Sequence, residues 1–386
     1  MSAEFVPIFG DSIRMTRDVV YTKTAQPFLI SGSGTLGWDQ VSANLVEFGE
    51  NALVLNTGYF GQSFADCLQT YGANVDQIKA DFGATVSLEK VEQALRSKKY
   101  KIVTVTHVDT STAVLSNPKA VAEVVKKVSP DTLVVLDAVC AVASEEIRMD
   151  DWGIDVVMSA SQKGLGAPPG LSVVLVSQKA LKVVETRSTP IPSYYASWRR
   201  WLPIMSAYEK GSAAYFATPP VNLIYAFHQS LVQIVKGSPS LEERLKLHID
   251  ASARVKAAGK ELGLKQVAVD SSEAANGMTA LWCPPGVKAS QLMPLFLKKD
   301  VVVAGGLGAE KGRSSSCRPT LPSARTDPTQ LNPRHPPDNY FRIGHMGTTV
   351  ANTERGDIDR IIAVLREVIA EATSLDGTSD ALQSRL

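Results

Sequence analysis

The sequence predicts an α/β protein with an open, mostly parallel main sheet and a smaller C-terminal α+β domain. Two observations support this class. Between residues 27 and 177, short β-branched runs alternate with helical patterns, and the runs are continuously apolar, as is typical of parallel strands buried on both faces. The composition, 44% apolar and 20% charged, excludes disorder, collagen-like repeats and a coiled coil as the main architecture.

The elements of the main sheet follow in chain order. Strands are predicted at residues 28–30, 53–55, 102–106, 133–136, 156–158 and 172–176. Helices are predicted between them, near residues 35–47, 61–71, 87–97 and 117–128. Ligands of open α/β sheets bind outside the carboxyl ends of the strands, so we expect the chemistry of this protein at that edge.

A break at residues 237–240, Gly-Ser-Pro-Ser, predicts the domain boundary. It follows a Pro- and aromatic-rich stretch at 190–220 and a helical pattern near 221–236. We therefore expect a large domain over residues 1–238 and a small domain over residues 239–386.

The small domain combines helices with short strands. Its periodicity predicts helices near 241–262 and 357–372, and strands at 278–283, 300–304 and 340–343. Residues 309–339 are rich in Pro, Arg, Ser and Thr and almost free of large apolar residues, which predicts a disordered insertion. Residues 374–386 are expected to form a flexible tail.

Charge and cysteine content limit the partners. The 40 basic and 39 acidic residues leave a net charge of +1, which gives no basic footprint for nucleic acid or for a membrane surface. No apolar run reaches the ~18 residues of a membrane helix. The four cysteines form no CxxC pair, so neither a disulfide framework nor a metal site is expected, and a reducing compartment is indicated.

The C-terminal residues Ser384-Arg385-Leu386 are a conservative variant of the peroxisomal Ser-Lys-Leu tripeptide. They predict the peroxisomal import receptor as a partner and the peroxisome as the location, with the cytosol as the alternative.

A glycine-rich turn, Ser31-Gly-Ser-Gly-Thr-Leu-Gly37, follows the first predicted strand and opens a helix. Backbone amides at a helix N-terminus, with the Ser33 and Thr35 hydroxyls beside them, favour a phosphate group. The alternative is a tight turn that needs glycine for packing. The literal GxGxxG pattern also permits a dinucleotide, but the acidic residue expected after the next strand is missing at Leu55-Asn-Thr-Gly58.

Two ionisable residues follow neighbouring strands. Asp137 ends the run Leu133–Leu136, where a buried carboxylate needs a cation or hydrogen-bond donors. A protonated pyridine nitrogen would be such a partner, and a capped or internally satisfied Asp is the alternative. Lys163 follows the strand at 156–158, and a partly desolvated lysine there can form a Schiff base, although lysines at such positions are often only solvated. With the glycine-rich turn, these residues supply the three contacts that pyridoxal phosphate needs.

Six motifs in order resemble the class V aminotransferases, which are pyridoxal phosphate-dependent enzymes of fold type I. The motifs are Thr57-Gly-Tyr-Phe-Gly61, Thr106-His-Val-Asp-Thr-Ser-Thr112, Leu136-Asp-Ala-Val139, Ser161-Gln-Lys163, Pro168-Pro-Gly170 and Arg342-Ile-Gly-His-Met-Gly347. The resemblance is closest to the alanine–glyoxylate and serine–pyruvate branch. It implies transfer of an amino group from alanine or serine to glyoxylate.

The resemblance implies a role for each matching residue. Lys163 would carry the cofactor and move the substrate α-proton, and Asp137 would hold the pyridine nitrogen protonated. The other implied cofactor contacts are Ser33, Gly34, Thr35 and Gln162 at the phosphate, Phe60 on the ring face, and Thr110 near the ring hydroxyl. Phe60 also suits a core position.

Three further residues, far along the chain from the glycine-rich turn, also match the family. Tyr215 and Thr218 would reach the neighbouring subunit's phosphate, which implies a homodimer with shared active sites. Arg342 would clamp the carboxylate of the small amino and keto acid substrates. A surface loop for Tyr215 and Thr218 and a strand-end ion pair for Arg342 are the alternatives.

The chain departs from the family in two places. The family carries an extra N-terminal stretch ahead of the point where this chain begins, and residues 309–339 interrupt the region before Arg342. These departures keep an inactive family member open as an alternative. Cysteine desulfuration through Cys317 and an NAD-dependent oxidoreductase are the other two alternatives.

Overall fold

The computed structural model describes residues 3–307 and 337–383. Most of the predicted insertion, together with Cys317 and the C-terminal tripeptide Ser384–Leu386, lies outside these residues. In the part of the chain that is described, no helix is long and apolar enough to cross a membrane, and no group of His, Cys, Asp and Glu side chains is arranged to hold a metal ion.

Nine strands form the first part of the chain. They are β1 (Gln26–Ser31), β2 (Asn51–Asn56), β3 (Asn74–Lys79), β4 (Ile102–Thr106), β5 (Val108–Asp109), β6 (Val114–Leu115), β7 (Leu133–Asp137), β8 (Val156–Ala160) and β9 (Leu171–Val176). Seven of them make the main sheet in the order β1-β9-β8-β7-β4-β2-β3, and β5 pairs with β6 as a separate ribbon.

The main sheet is mostly parallel, as predicted. Strands β8, β7, β4, β2 and β3 run parallel to one another, and β9 is antiparallel to both β8 and β1. All six predicted strands are present. The edge strand β3 was not predicted, because its residues are polar and largely half-buried and therefore lack the apolar run that marks the inner strands.

Nine helices accompany this sheet: α1 (Phe5–Asp18), α2 (Thr35–Leu45), α3 (Tyr59–Thr70), α4 (Leu88–Ser97), α5 (Pro118–Val128), α6 (Met149–Trp152), α7 (Gln178–Thr186), α8 (Trp198–Glu209) and α9 (Val221–Val235). The four helices predicted between the strands and the helix predicted near 221–236 are confirmed. Helices α1, α6, α7 and α8 were not predicted. Of these, α1 and α8 pack on each other through the rings of Phe9 and Tyr208, whose centroids are 4.5 Å apart.

The C-terminal part contains α10 (Leu241–Glu261), β10 (Met278–Trp282), α11 (Ala289–Lys298), β11 (Ala304–Gly305), β12 (Tyr340–Gly344), α12 (Thr348–Ala351) and α13 (Asp357–Gln383). Its strands form an antiparallel sheet in the order β10-β12-β11. A separate apolar cluster, drawn from residues 251–372, packs beneath this sheet.

Two expectations for this part differ from the structure. The strand predicted at 300–304 is wrong except at its last residue, because Asp300 takes a left-handed conformation (φ 57°) after α11 and the valines that follow it are not paired in the sheet. Helix α13 continues through Gln383, beyond the predicted end at 372. The domain boundary at 238 and the flexibility of residues 374–386 stay predictions.

Candidate active site

The carboxyl ends of three parallel strands meet at one edge of the sheet. Thr106 at the end of β4 pairs with Asp137 at the end of β7, which pairs in turn with Met158 of β8. Lys163 follows the end of β8 and is half-buried. Asp137 and Lys163 therefore lie at the same edge, as predicted from their positions after neighbouring strands.

Several groups at this edge influence the pKa of the Cys140 thiol. Burial raises the pKa of this thiol, while the Lys163 ammonium and a hydrogen bond with the Thr110 side chain lower it and the Asp137 carboxylate raises it. Lys163, Thr110 and Asp137 thus all influence one buried side chain. The structure brings together three residues that the sequence placed in one site.

Asp137 is a buried carboxylate whose hydrogen bonds come from neutral groups. Its Oδ2 accepts a 2.7 Å hydrogen bond from Trp38 Nε1, and its Oδ1 accepts a 3.2 Å bond from the Val139 amide. Burial raises the pKa of Asp137 to about 6, the two donors lower it, and the neighbouring Asp109 raises it. A cation placed beside this carboxylate would stabilise its ionised form.

The glycine-rich turn fits an anion. Helix α2 begins at Thr35 without a side-chain cap, and Ser33 and Thr35 are exposed at its N-terminus. Unpaired amides and the helix dipole at such an end favour a phosphate. Gly34 packs against the residues that follow Asp137, because a Cβ built on Gly34 would be 3.0 Å from Val139 Cγ2.

The same packing accounts for the GxGxxG pattern. A Cβ at Gly37 would be 3.3 Å from the sulfur of Met158, so both Gly34 and Gly37 let α2 approach the ends of β7 and β8. Close helix–sheet packing therefore explains two of the glycines that also suggested a dinucleotide, and the pattern no longer favours an NAD-dependent oxidoreductase.

Phe60 lies in the first turn of α3, half-buried, with its ring centroid 6.3 Å from that of Trp38. The start of α3 is held by Asp109, which is fully buried. The Asp109 carboxylate accepts hydrogen bonds from the Ser111 amide (2.9 Å), the Ser111 hydroxyl (2.5 Å) and the Gly61 amide (3.4 Å). Sequence reasoning missed this residue, although an acid inside the motif at 106–112 was a visible signal.

Arg342 joins the C-terminal sheet to the turn between β5 and β6. Its Nε donates to the Gly305 carbonyl (2.8 Å) and its Nη1 to the Thr110 carbonyl (3.0 Å). Among residues 3–307 and 337–383, no acidic side chain forms the strand-end ion pair with Arg342 that was considered as an alternative. Burial lowers the pKa of this guanidinium, which nevertheless remains charged at neutral pH.

Gln162, Tyr215 and Thr218 are exposed. The Tyr215 hydroxyl lies 3.4 Å from the Thr218 hydroxyl, and the Tyr215 side chain is 71% exposed. Within one chain, the structure does not bring Tyr215 and Thr218 into contact with the Lys163 cluster. Their predicted role toward a neighbouring subunit stays a prediction.

The tryptophans divide into two groups. Trp198 and Trp201 are buried in the core. Trp38 is also buried in the core, and in addition its indole N–H donates a hydrogen bond to Asp137. The sequence carries no signal for this contact, which depends on the approach of α2 to β7.

An open α/β sheet with a lysine and a buried carboxylate at adjacent strand ends defines an aminotransferase-like enzyme. Residues 17–306 match the family described as aminotransferase class-V, and the chain belongs to this family. The predicted family and fold class are thus confirmed.

Individual relatives agree with this assignment. The chain is 40% identical to alanine–glyoxylate aminotransferase 1 of Saccharomyces cerevisiae, over 91% of this chain and 86% of the relative. It is 29% identical to serine–glyoxylate aminotransferase of Methylorubrum extorquens, over 88% of this chain and 77% of the relative. The crystal structure of alanine–glyoxylate aminotransferase from Nostoc sp. superposes with a TM-score of 0.81 at 25% identity, covering 95% of this chain and 88% of the other.

Proposed function

We propose that this protein is a pyridoxal phosphate-dependent aminotransferase that transfers the amino group of alanine or serine to glyoxylate, giving pyruvate or hydroxypyruvate and glycine. The observation that carries the proposal is the placement of Asp137 and Lys163 at one sheet edge, beside the uncapped start of α2. The 40% identity to the yeast alanine–glyoxylate aminotransferase supports this choice of substrates.

The residues present fit the cofactor. The uncapped start of α2 and the exposed Ser33 and Thr35 suit its phosphate, and the buried Asp137 suits its protonated ring nitrogen. Phe60 offers an aromatic face for the ring, and Thr110 and Gln162 complete the contacts that the family resemblance implies. When bound, pyridoxal phosphate supplies an aldehyde and an electron sink.

Lys163, Arg342 and Asp137 then have separate roles in the reaction. The Lys163 amine is placed to hold the cofactor and to move the proton at the substrate Cα. Arg342 orients the substrate carboxylate: its two backbone carbonyl partners leave other guanidinium N–H groups for a further acceptor. Asp137 supplies the negative charge that keeps the ring nitrogen protonated.

A homodimer with shared active sites is part of the proposal. Tyr215 and Thr218 are exposed on one chain and lie close to each other, which suits a contact with the partner's cofactor phosphate. Mixing a Lys163→Ala subunit with a Thr218→Ala subunit tests this, because a mixed dimer combines the two lesions in one site and leaves the other site intact. Recovered activity supports shared sites, and no recovery in mixed dimers contradicts them.

Steady-state turnover tests the choice of substrates. Alanine is offered with glyoxylate, and serine with glyoxylate and with pyruvate, and glyoxylate with one of these donors is expected to give the highest kcat/KM. Absence of glyoxylate turnover with either donor, in a protein loaded with cofactor, would contradict the substrate proposal.

Import into peroxisomes through Ser384–Leu386 is a separate proposal, supported only by the tripeptide itself. A fluorescent fusion that keeps these residues at the C-terminus is expected to localise to peroxisomes. The same fusion without them is expected to remain in the cytosol, and equal distributions would contradict the proposal.

A further inference from the structure

Helix α2 touches two parts of the candidate cofactor site. Its N-terminus is the phosphate-binding turn at Ser33–Thr35, and one turn later Trp38 donates a 2.7 Å hydrogen bond to Asp137. Trp38 is 7% exposed and Asp137 4% exposed, so the bond is sealed from solvent. One rigid helix therefore connects the phosphate turn with the partner of the ring nitrogen.

The Trp38 ring is held in place by its surroundings. It stacks on Phe64 with ring centroids 5.7 Å apart and an interplanar angle of 16°. Gly34 and Gly37 bring the helix close enough to Val139 and Met158 for the indole to reach the carboxylate. The direction of the N–H donor is thus set by packing.

We propose that Trp38 is a positioning residue that keeps Asp137 ionised and aimed at the cofactor's ring nitrogen, and that couples this carboxylate to the phosphate-binding helix. The inference rests on the proposed function. A carboxylate offers more acceptor positions than Trp38 and Val139 use, so Asp137 can hold a ring nitrogen as well.

The electrostatics around Asp137 explain why a donor is needed. Burial and the nearby Asp109 favour the protonated carboxyl, and the Trp38 and Val139 N–H groups oppose them. His107, which directly follows β4, is neutral because burial lowers its pKa to about 3. Lys163 and Asp137 act in opposite directions on the pKa of the nearby Cys140 thiol. Without Trp38, only the Val139 amide would favour the ionised form, and a protonated Asp137 pairs poorly with a cationic ring.

The variant Trp38→Phe keeps an aromatic ring and removes the donor. Trp198→Phe is the matched control, because Trp198 is also buried and donates a single 2.9 Å bond, to Gln40 Oε1. The dissociation constant of added pyridoxal phosphate is measured on cofactor-free protein by absorbance titration between pH 5.5 and 8.5. Circular dichroism and thermal unfolding show whether each variant is folded, and Trp38→Tyr serves as a second variant.

We expect Trp38→Phe to weaken cofactor affinity about tenfold or more at pH 7, the size expected for a hydrogen bond to a charged group. The midpoint at which affinity rises with pH should also move to higher pH, because the unsupported carboxyl ionises later. Trp198→Phe should change neither quantity. In an Asp137→Asn background the further change Trp38→Phe should have little effect, because Trp38 acts through Asp137.

Three results would overturn the inference. Trp38→Phe with wild-type affinity and an unchanged pH midpoint is the first. An equal loss in Trp198→Phe, which would assign the effect to general packing, is the second, and a full additional loss in the Asp137→Asn background is the third. Failure of the wild-type protein to take up pyridoxal phosphate would contradict the proposed function as well, so the two failures are distinguishable.

Discussion

Arg342 Nη1 donates a 3.0 Å hydrogen bond to the backbone carbonyl of Thr110, which joins the C-terminal sheet to the strand-end loop beside the candidate cofactor site. The second bond of Arg342, to Gly305, stays within the C-terminal sheet. The guanidinium is therefore oriented before any substrate binds. A preoriented guanidinium loses less entropy when it binds a carboxylate.

The variant Arg342→Lys tests this clamp. Lysine keeps the charge but loses the planar set of donors, so we expect KM for both the amino acid and the keto acid to rise about tenfold or more, with a smaller change in kcat. Steady-state kinetics with both substrates check it. Unchanged KM values for both acids would remove Arg342 from the substrate site.

Gly34→Ala tests the close approach of α2. The added methyl group would meet Val139 and Ala160, at 3.0 Å and 3.3 Å, so the helix must shift. We expect a loss of about 1–3 kcal/mol in the free energy of unfolding and weaker cofactor binding. Gly344→Ala is the control, because a Cβ there has no neighbour within 4 Å. Equal stability of the two variants would show that the approach of α2 tolerates a side chain.

Phe9→Ala tests whether α1 is part of the core. Phe9 is fully buried and packs on Tyr208, so its truncation should cost about 3–5 kcal/mol of unfolding free energy. Phe48 is 88% exposed, and Phe48→Ala should change stability by less than about 0.5 kcal/mol. Denaturant unfolding measures both. Similar small losses in the two variants would mean that α1 contributes little to the core.

Glu145 predicts a pH dependence of stability. Its carboxylate accepts hydrogen bonds from the Asn276 backbone and side chain, yet burial raises its pKa to about 7, from 4.5 in the unfolded chain. A raised carboxyl pKa means that the folded state binds the proton more tightly than the unfolded chain does. The stabilisation that protonated Glu145 contributes to the free energy of unfolding is therefore present below about pH 4.5 and is lost as pH rises to about 7. Stability of the wild type relative to Glu145→Gln should therefore fall between pH 4.5 and 7.

The matched control is Glu146→Gln, since Glu146 is exposed and pairs with Arg148 at the surface. Its stability difference from the wild type should stay nearly constant over the same range. A Glu145→Gln difference that is flat with pH would contradict the raised pKa.

The sequence predicted most of the main sheet because its inner strands are buried on both faces and read as continuous apolar runs. It did not predict β3, whose residues are polar at the sheet edge, or α8, where Pro203 and several aromatic residues hide the helical period. The strand predicted at 300–304 failed because Asp300 turns the chain through a left-handed conformation that no local pattern marked.

The candidate site was predictable where chemistry coincides with strand ends, as at Asp137 and Lys163. Trp38 and Asp109 were missed because their contacts come from tertiary packing. Trp38 in α2 donates a hydrogen bond to Asp137 at the end of β7, and Asp109 accepts a hydrogen bond from the Gly61 amide in the first turn of α3. Neither relationship follows from spacing along the chain.

The most direct test of the account is to identify the lysine that carries the cofactor. The wild-type protein with pyridoxal phosphate should show a visible absorbance band that borohydride removes, and peptide mapping of the reduced protein should place a pyridoxyl phosphate group on Lys163. Lys163→Ala should show neither the band nor the adduct. A wild-type protein that stays colourless with added cofactor, or an adduct on a different lysine, would contradict the account.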